Sequence, residues 1–137
     1  MFVVDSSVAI KWFVPEPGSE DALALLKGDA ILIAPDILLA EVANGLWRKV
    51  RKGELEAKDL KPAIASARTR VSRFDPISPL IDEACDLAAA LDHSVYDCLF
   101  LALAAREGVS LVTADAKFVV KLGAAGIEGV LDPSGAI

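Results

Sequence analysis

Short apolar runs alternate along the chain with longer segments in which apolar residues recur at helical spacing. The short runs are rich in β-branched residues, as in Phe2-Val3-Val4, which is typical of buried strands. The predicted strands are residues 2–4, 31–33, 110–113 and 129–131, and residues 74–78 are predicted to be a short extended piece. The predicted helices are residues 8–14, 19–27, 35–52, 57–73, 79–91, 94–107 and 116–122. Alternating strands and helices predict an α/β fold, in which helices cover both faces of a parallel sheet.

Glycine and proline residues place the boundaries of several predicted elements. The segment Pro15–Gly18 ends the first helix, and Gly53 separates the third helix from the fourth, so that these two form a predicted helical hairpin. Pro62 is compatible with the fourth helix only within its first turn. Because no repeat, linker or low-complexity tract interrupts the 137 residues, we interpret 1–137 as a single domain.

The composition excludes two classes of protein. Apolar residues make up 54% of the chain and charged residues 25%, which is too hydrophobic for a disordered protein. The longest uncharged stretch, Cys98–Ala105, is far shorter than the roughly 20 residues of a membrane-spanning helix. The N-terminal segment Met1–Asp5 lacks the basic region of a signal peptide. We therefore expect a cytoplasmic location and no membrane association.

Charge is distributed unevenly along the chain. The formal net charge is −6, yet the segment Arg48–Arg73 carries nine basic and only three acidic residues. This basic segment coincides with the predicted hairpin, and it favours contact with phosphates, as in nucleic acids. The simpler alternative is a solvated pair of helices whose exposed faces are basic.

Four carboxylates interrupt or end apolar elements. Asp5 follows the first predicted strand, and Asp115 follows the strand predicted at residues 110–113. Glu41 lies inside the third predicted helix, and Asp97 lies in the first turn of the sixth. In a parallel sheet, ligand sites form beyond the carboxyl ends of the strands, where the strand order reverses. Asp5 and Asp115 can therefore share one crevice if their strands are neighbours.

Three of these acids also fit a structural role as helix caps. Asp5 and Asp115 each precede a predicted helix, and Asp97 stands three residues after Ser94 in the spacing of a capping box. Glu41 has no such explanation. Apolar neighbours surround it, and burial of an unpaired carboxylate is expensive.

We expect a cation beside Glu41. Asn44 and Arg48 follow three and seven residues later and lie on the same face of the helix, so this face is polar. Carboxylates with few other ligands favour a hard ion, Mg²⁺ or Mn²⁺, which binds phosphates and activates water. The soft ligands Cys85, Cys98 and His93 cannot complete a structural zinc site without a carboxylate.

Four segments carry these acids in a fixed order over nearly the whole chain. They are Val3–Ser7 followed by Lys11-Trp12-Phe13, Ala34–Asp36 with Ala40–Asn44, Tyr96–Ala104, and Leu111–Asp115. This pattern resembles the PIN-domain ribonucleases, and within them the toxins of VapBC-type toxin–antitoxin pairs. The resemblance implies a three-layer α/β/α fold with a central parallel sheet of order 3-2-1-4-5, from which the helical hairpin protrudes.

The resemblance also implies an activity and a set of partners. The activity is Mg²⁺- or Mn²⁺-dependent endonucleolytic hydrolysis of RNA, and the partners are a second copy of the chain and a cognate antitoxin. By position, the metal-binding and catalytic acids are Asp5, Glu41, Asp97 and Asp115. Ser7 and Thr113 match hydroxyl positions that support these acids, and we add Asn44 to this supporting set. Within the basic segment, we predict that Arg48, Arg68, Arg70 and Arg73 bind RNA.

Other functions fit the sequence less well. A free-standing PIN nuclease of RNA processing and a non-catalytic binding PIN domain stay open, although a non-catalytic copy has no reason to retain four buried like charges. An aspartyl phosphatase requires D-x-D where this chain has Asp5-Ser6-Ser7, and the acidic pair of a receiver domain is absent. A serine hydrolase would depend on His93 alone, without a G-x-S-x-G turn.

Overall fold

Five short parallel strands form one sheet in the computed structural model, which describes residues 1–137. The strands are β1 (Phe2–Val4), β2 (Leu32–Pro35), β3 (Arg73–Asp75), β4 (Ser110–Val112) and β5 (Val130–Leu131). Their order is β3-β2-β1-β4-β5, and every neighbouring pair is parallel. The predicted order 3-2-1-4-5 is confirmed.

Seven α-helices surround the sheet. They are α1 (Ser6–Ile10), α2 (Ser19–Lys27), α3 (Leu38–Arg51), α4 (Leu60–Arg70), α5 (Ile81–Leu91), α6 (Val95–Glu107) and α7 (Ala116–Ala124). Helices α3 and α4 pack against each other as the predicted hairpin, and Pro62 falls in the first turn of α4. Its missing amide is therefore tolerated, because the first amides of a helix have no intrahelical partner.

Helix α6 is the central helix of the core. Its residues Cys98–Ala104 are all buried, between the sheet and α5. A helix that is apolar on every side is enclosed by its neighbours, so its charged residues are confined to its ends. Asp97 stands at the N-terminal end of α6, beside the carboxyl edge of the sheet, and Glu107 stands at the other.

Three predicted helices are wrong in extent, the third because Pro35 belongs to β2 and α3 begins only at Leu38. The first forms only Ser6–Ile10, before a series of turns. The fourth ends at Arg70 because Val71, which is 4% exposed, leaves the helix in an extended conformation and enters the core. The amide of Ser72 then donates to the carbonyl of Leu32, and the chain continues as β3 from Arg73. Pairing with β2 therefore prevails over the helical pattern.

No single helix is long and apolar enough to cross a membrane, and only the bent pair Ser78–Leu91 and Val95–Glu107 meets that test when its two helices are counted together.

Candidate active site

A cleft of about 240 Å³ lies beyond the carboxyl ends of β1 and β4, and all four predicted acids line it. The register of the sheet brings two of them together: Val4 pairs with Val112, and the amide of Asp5 donates to the carbonyl of Val112 at 2.9 Å. Asp115 follows β4 at the same edge. Glu41 enters from α3 and Asp97 from the start of α6, so four separate elements supply the carboxylates.

Asp5 is the most rigidly held of the four acids. Its Oδ2 accepts hydrogen bonds from the hydroxyls of Ser7 and Thr113, both at 2.7 Å, and its Oδ1 accepts one from the amide of Ser6 at 2.9 Å. The residue is only 6% exposed. Burial raises the pKa of Asp5, the two hydroxyls oppose that rise, and the charge of Asp97 adds to it, with a net upward shift.

The hydroxyls of Ser7 and Thr113 are themselves fixed by the backbone after β4. Ser7 Oγ accepts from the amide of Ala114 at 2.9 Å, and Thr113 Oγ1 accepts from the amide of Asp115 at 3.2 Å. Each hydroxyl is thus oriented with its proton toward Asp5. Both predicted supporting positions contact an acid, whereas Asn44 lines the cleft without a hydrogen bond to any of the four.

Glu41 is the clearest case in the molecule of a carboxylate whose negative charge is unfavourable. Its Oε1 is buried and has no hydrogen-bond partner. Burial raises the pKa of Glu41 to about 7, and the negative charges of Asp5 and Asp97 contribute to the rise. A carboxylate in this position is stabilised by a cation, because nothing else in the cleft satisfies that oxygen.

His93 does not line the cleft but contacts Asp97 at its edge, and the sequence did not indicate that it belongs with the four acids. Its Nε2 lies 2.6 Å from Oδ2 of Asp97, and its ring stacks on Phe118 with centroids 4.3 Å apart. Potential ligand atoms of His93, Asp97 and Asp115 all lie within 4.8 Å of one another. The only sequence signal is a histidine four residues before an acid at a helix start. The contact between His93 and Asp97 depends on Asp92, which ends α5 in a left-handed conformation at φ 50°.

The capping roles and the cleft coexist. Asp5 and Asp115 accept hydrogen bonds from the amides of Ser6 and Phe118 at the starts of α1 and α7. Ser94 caps α6 by accepting from the amide of Asp97, which leaves both carboxylate oxygens of Asp97 outside the cap. A cap bond through one oxygen, as in Asp115, leaves the other available to a ligand.

Of the four arginines predicted to bind RNA, only Arg48 lines the cleft. Arg68 borders an apolar groove between α3 and α4, and Arg70 lies over the ring of Phe13 at 5.9 Å. Arg73 was expected on the hairpin, but it belongs to β3 and forms ion pairs with Asp75 and Glu107. Glu107 ends α6 opposite Asp97, so Arg73 is far from the acids and the prediction of its position is wrong.

The donor set fits a divalent cation. Four carboxylates converge, one buried oxygen lacks a partner, and an imidazole stands beside Asp97. Oxygen ligands of this kind suit Mg²⁺ and Mn²⁺, and the imidazole is better matched to Mn²⁺.

Comparisons with known proteins agree with this arrangement. Ribonuclease VapC3 of Pyrobaculum aerophilum is 29% identical over 121 residues, which cover 87% of this chain and 92% of that protein. The VapC ribonuclease Mb0985 of Mycobacterium bovis is 31% identical over 116 residues, which cover 84% and 86%. A toxin–antitoxin complex from Klebsiella pneumoniae contains a chain with a TM-score of 0.70 at 22% identity, covering 97% of this chain and 98% of that one. The model of the PIN domain matches residues 2–121, and the chain therefore belongs to the PIN-domain family.

Proposed function

We propose that this protein is a metal-dependent endoribonuclease of the cytoplasm and the toxin of a toxin–antitoxin pair. The observation that carries the proposal is the convergence of four carboxylates from four elements in one cleft, with a buried oxygen of Glu41 left unpartnered. Similarity to two proteins named ribonucleases, over more than four fifths of the chain, supports RNA as the substrate.

The side chains of the cleft would divide the work of holding a cation and a phosphate. Asp5, fixed by two hydroxyls, would be the rigid ligand, and Asp97 would be oriented by His93. Glu41 would release its proton as the cation binds. A Mg²⁺ or Mn²⁺ ion bound here would supply Lewis-acid chemistry, lowering the pKa of water and offsetting charge on the phosphate.

Water, not a side chain, is the proposed nucleophile. The hydroxyls beside the acids belong to Ser6, Ser7 and Thr113. Those of Ser7 and Thr113 each donate to Asp5 while they accept from a backbone amide. That of Ser6 faces Glu41, and its hydrogen bond opposes the rise in the pKa of Glu41 that burial causes. The acids therefore engage all three hydroxyls, and none is free to attack phosphorus. Hydrolysis by water with departure of the 3′-oxygen leaves 5′-phosphate and 3′-hydroxyl ends.

The proposed partners are a cognate antitoxin and a second copy of the chain. The likeness in fold to a chain of a toxin–antitoxin complex supports the first. Large apolar side chains on the surface, among them Trp47, Tyr96 and Val120, offer area for such contacts. A short upstream reading frame that encodes a small DNA-binding protein would support the toxin role, and its absence would favour a free-standing nuclease.

Cleavage of a 5′-labelled single-stranded RNA tests the proposed activity. We expect cleavage in Mg²⁺ or Mn²⁺, none in EDTA, and products with 5′-phosphate and 3′-hydroxyl ends. Cleavage that persists in EDTA, or products with cyclic phosphates, would contradict it.

His93 provides a further test of how the cation is held. We expect His93→Ala to weaken Mn²⁺ binding and cleavage by about 10- to 100-fold, because Asp97 loses the group that orients it. His93→Gln, which places an amide nitrogen near the position of Nε2, should recover part of that loss. Calorimetric titration of Mn²⁺ measures the effect, and wild-type affinity in His93→Ala would show that His93 has no role in the site.

A further inference from the structure

We infer that a second cleft, beside the acids, binds a backbone phosphate of the RNA strand next to the bond that is cut. This basic cleft, of about 300 Å³, lies between the first turns of the chain after β1 and the C-terminal half of α3. Its charged residues are Lys11, Glu16, Arg48, Lys49 and Lys52. The inference rests on the proposed function and deepens it, because it specifies where the substrate is held.

Charge distinguishes the basic cleft from the rest of the molecule. Four cations and one carboxylate line it, although the chain as a whole has a net charge of −6. The neighbouring acid cleft contains four carboxylates and repels phosphates unless cations compensate it. A concentration of positive charge at this one border therefore favours a polyanion that has to approach the acids.

Glu16 builds the wall of the basic cleft. Its carboxylate pairs with Lys11 at 3.0 Å and with Lys49 at 2.9 Å, and Lys11 also donates to the carbonyl of Pro17 at 2.8 Å. Burial raises the pKa of Glu16, but the two ammonium groups outweigh burial and lower it. These bonds tie the segment after α1 to α3, and they fix two of the four cations in place.

The other two cations are free to meet a ligand. Arg48 and Lys52 are exposed and form no ion pair and no hydrogen bond through their side chains. They stand four residues apart on one face at the end of α3, about 6 Å along the helix axis. An arginine with an unoccupied guanidinium is well suited to phosphate, because its fork of donors matches two phosphate oxygens.

The basic cleft is continuous with the acid cleft. Ser7, Ile10, Gly45 and Arg48 line both. Gly45 allows the close approach of α1 and α3 at this border, since a methyl group there would collide with Ile10. A strand whose phosphate is held by Arg48 and Lys52 would therefore place its next phosphate toward the acids.

The experiment compares two double variants with the same loss of two charges. Arg48→Gln/Lys52→Gln removes the free cations of the basic cleft, and the control Lys27→Gln/Lys61→Gln removes two exposed cations of α2 and α4 that line neither cleft. Binding of a fluorescent single-stranded RNA is measured by anisotropy in EDTA, and cleavage of the same RNA in Mg²⁺ gives KM and kcat, each between 50 and 200 mM salt. Lys52→Gln alone is included, since Lys52 borders only the basic cleft.

We expect Arg48→Gln/Lys52→Gln to raise KM and the dissociation constant about tenfold at 0.1 M salt. The slope of log affinity against log salt should flatten by about 0.7 for each lost contact. Lys52→Gln should raise KM with kcat within about twofold of wild type, and the control should change neither quantity. Equal effects in the two double variants, or none in the first, would overturn the inference.

The same measurements separate the inference from the proposed function. A wild-type protein that cleaves RNA, combined with an unchanged salt slope in Arg48→Gln/Lys52→Gln, removes the phosphate subsite and leaves the nuclease assignment intact. In that case the only role of the two cations is to stabilise the C-terminal end of α3, and the double variant should melt at a lower temperature than wild type. A wild-type protein without cleavage refutes the function, while the binding data still decide on the subsite.

Discussion

Asp97→Asn is expected to lower the rate of Mg²⁺-dependent RNA cleavage by at least about a hundredfold while the fold stays intact. Loss of a group that merely supports a metal ligand costs 10- to 100-fold in comparable sites, so loss of a ligand should cost more. The fold should survive because the side chain of Asp97 is 31% exposed and has a hydrogen bond only to His93, and because Ser94 supplies the helix cap.

Asp5→Asn should reduce cleavage as strongly, but it is the less clean test. Oδ2 of Asp5 accepts hydrogen bonds from two hydroxyls, and an amide NH₂ in its place would be a donor that faces these two donors. A buried donor without a partner costs about 1–3 kcal/mol, so part of any loss could come from misfolding. Asp97→Asn avoids this ambiguity.

A matched control makes the Asp97→Asn result specific. Asp86→Asn changes the charge by the same amount on the exposed face of α5, where the carboxylate has no hydrogen bond or ion pair. Its cleavage rate should equal that of wild type, and circular dichroism should show all the proteins folded. Near-wild-type cleavage by Asp97→Asn at saturating Mg²⁺ would remove Asp97 from the proposed site.

The sheet could be predicted because its strands are buried and two of the four acids, Asp5 and Asp115, follow strand ends. Val3 and Val4 are fully buried, as are Leu111 and Val112, so the apolar runs that mark β1 and β4 are short and unambiguous. Periodicity alone does not give the strand order, which came from the resemblance. The four acids that line the cleft could be predicted as candidates for a related reason, since each interrupts or ends an apolar element.

The misplaced and missed residues depend on contacts between distant parts of the chain. Arg73 continues a helical pattern, but burial of Val71 and pairing with β2 end the helix first. His93 reaches Asp97 only through the left-handed turn at Asp92, a position that would normally be glycine. Lys11 lies outside the basic segment in sequence, and only the folded chain brings it into the basic cleft.

The stability of the metal-free protein should fall as the pH rises from about 4.5 to above 7, and a bound cation should restore it. The pKa of Glu41 is raised from 4.5 to about 7, so the folded state holds this proton more tightly than the unfolded state. The resulting stabilisation is complete below pH 4.5 and is lost as the pH passes through 7. The raised pKa of Asp5 acts in the same direction.

The expected loss for Glu41 is on the order of 2 kcal/mol, after allowance for the solvent that screens its partly exposed carboxylate. For a chain of this length, that corresponds to a fall of several degrees in melting temperature. Mn²⁺ at a hundred times its dissociation constant should add about 2.7 kcal/mol, because it binds the folded state alone. The gain should increase with pH, since the proton of Glu41 competes with the cation.

Glu41→Gln isolates this effect. At pH 8 without metal the variant should melt above wild type, because it lacks the charge that burial and two neighbouring acids disfavour. At pH 4.5 the two should melt at similar temperatures, since Glu41 is then protonated, and the gain from Mn²⁺ should be smaller in the variant. Glu128→Gln, an exposed residue without an ion pair, serves as the control and should follow wild type at every pH.

The measurement is a set of thermal melts at pH 4.5, 6 and 8, each with EDTA and with Mn²⁺. If the cleft were only a set of helix caps, its acids would stabilise the protein by up to about 1 kcal/mol each when ionised, and Mn²⁺ would have no effect. A wild-type protein that becomes more stable toward pH 8 in EDTA, or that ignores Mn²⁺, would therefore refute the metal site.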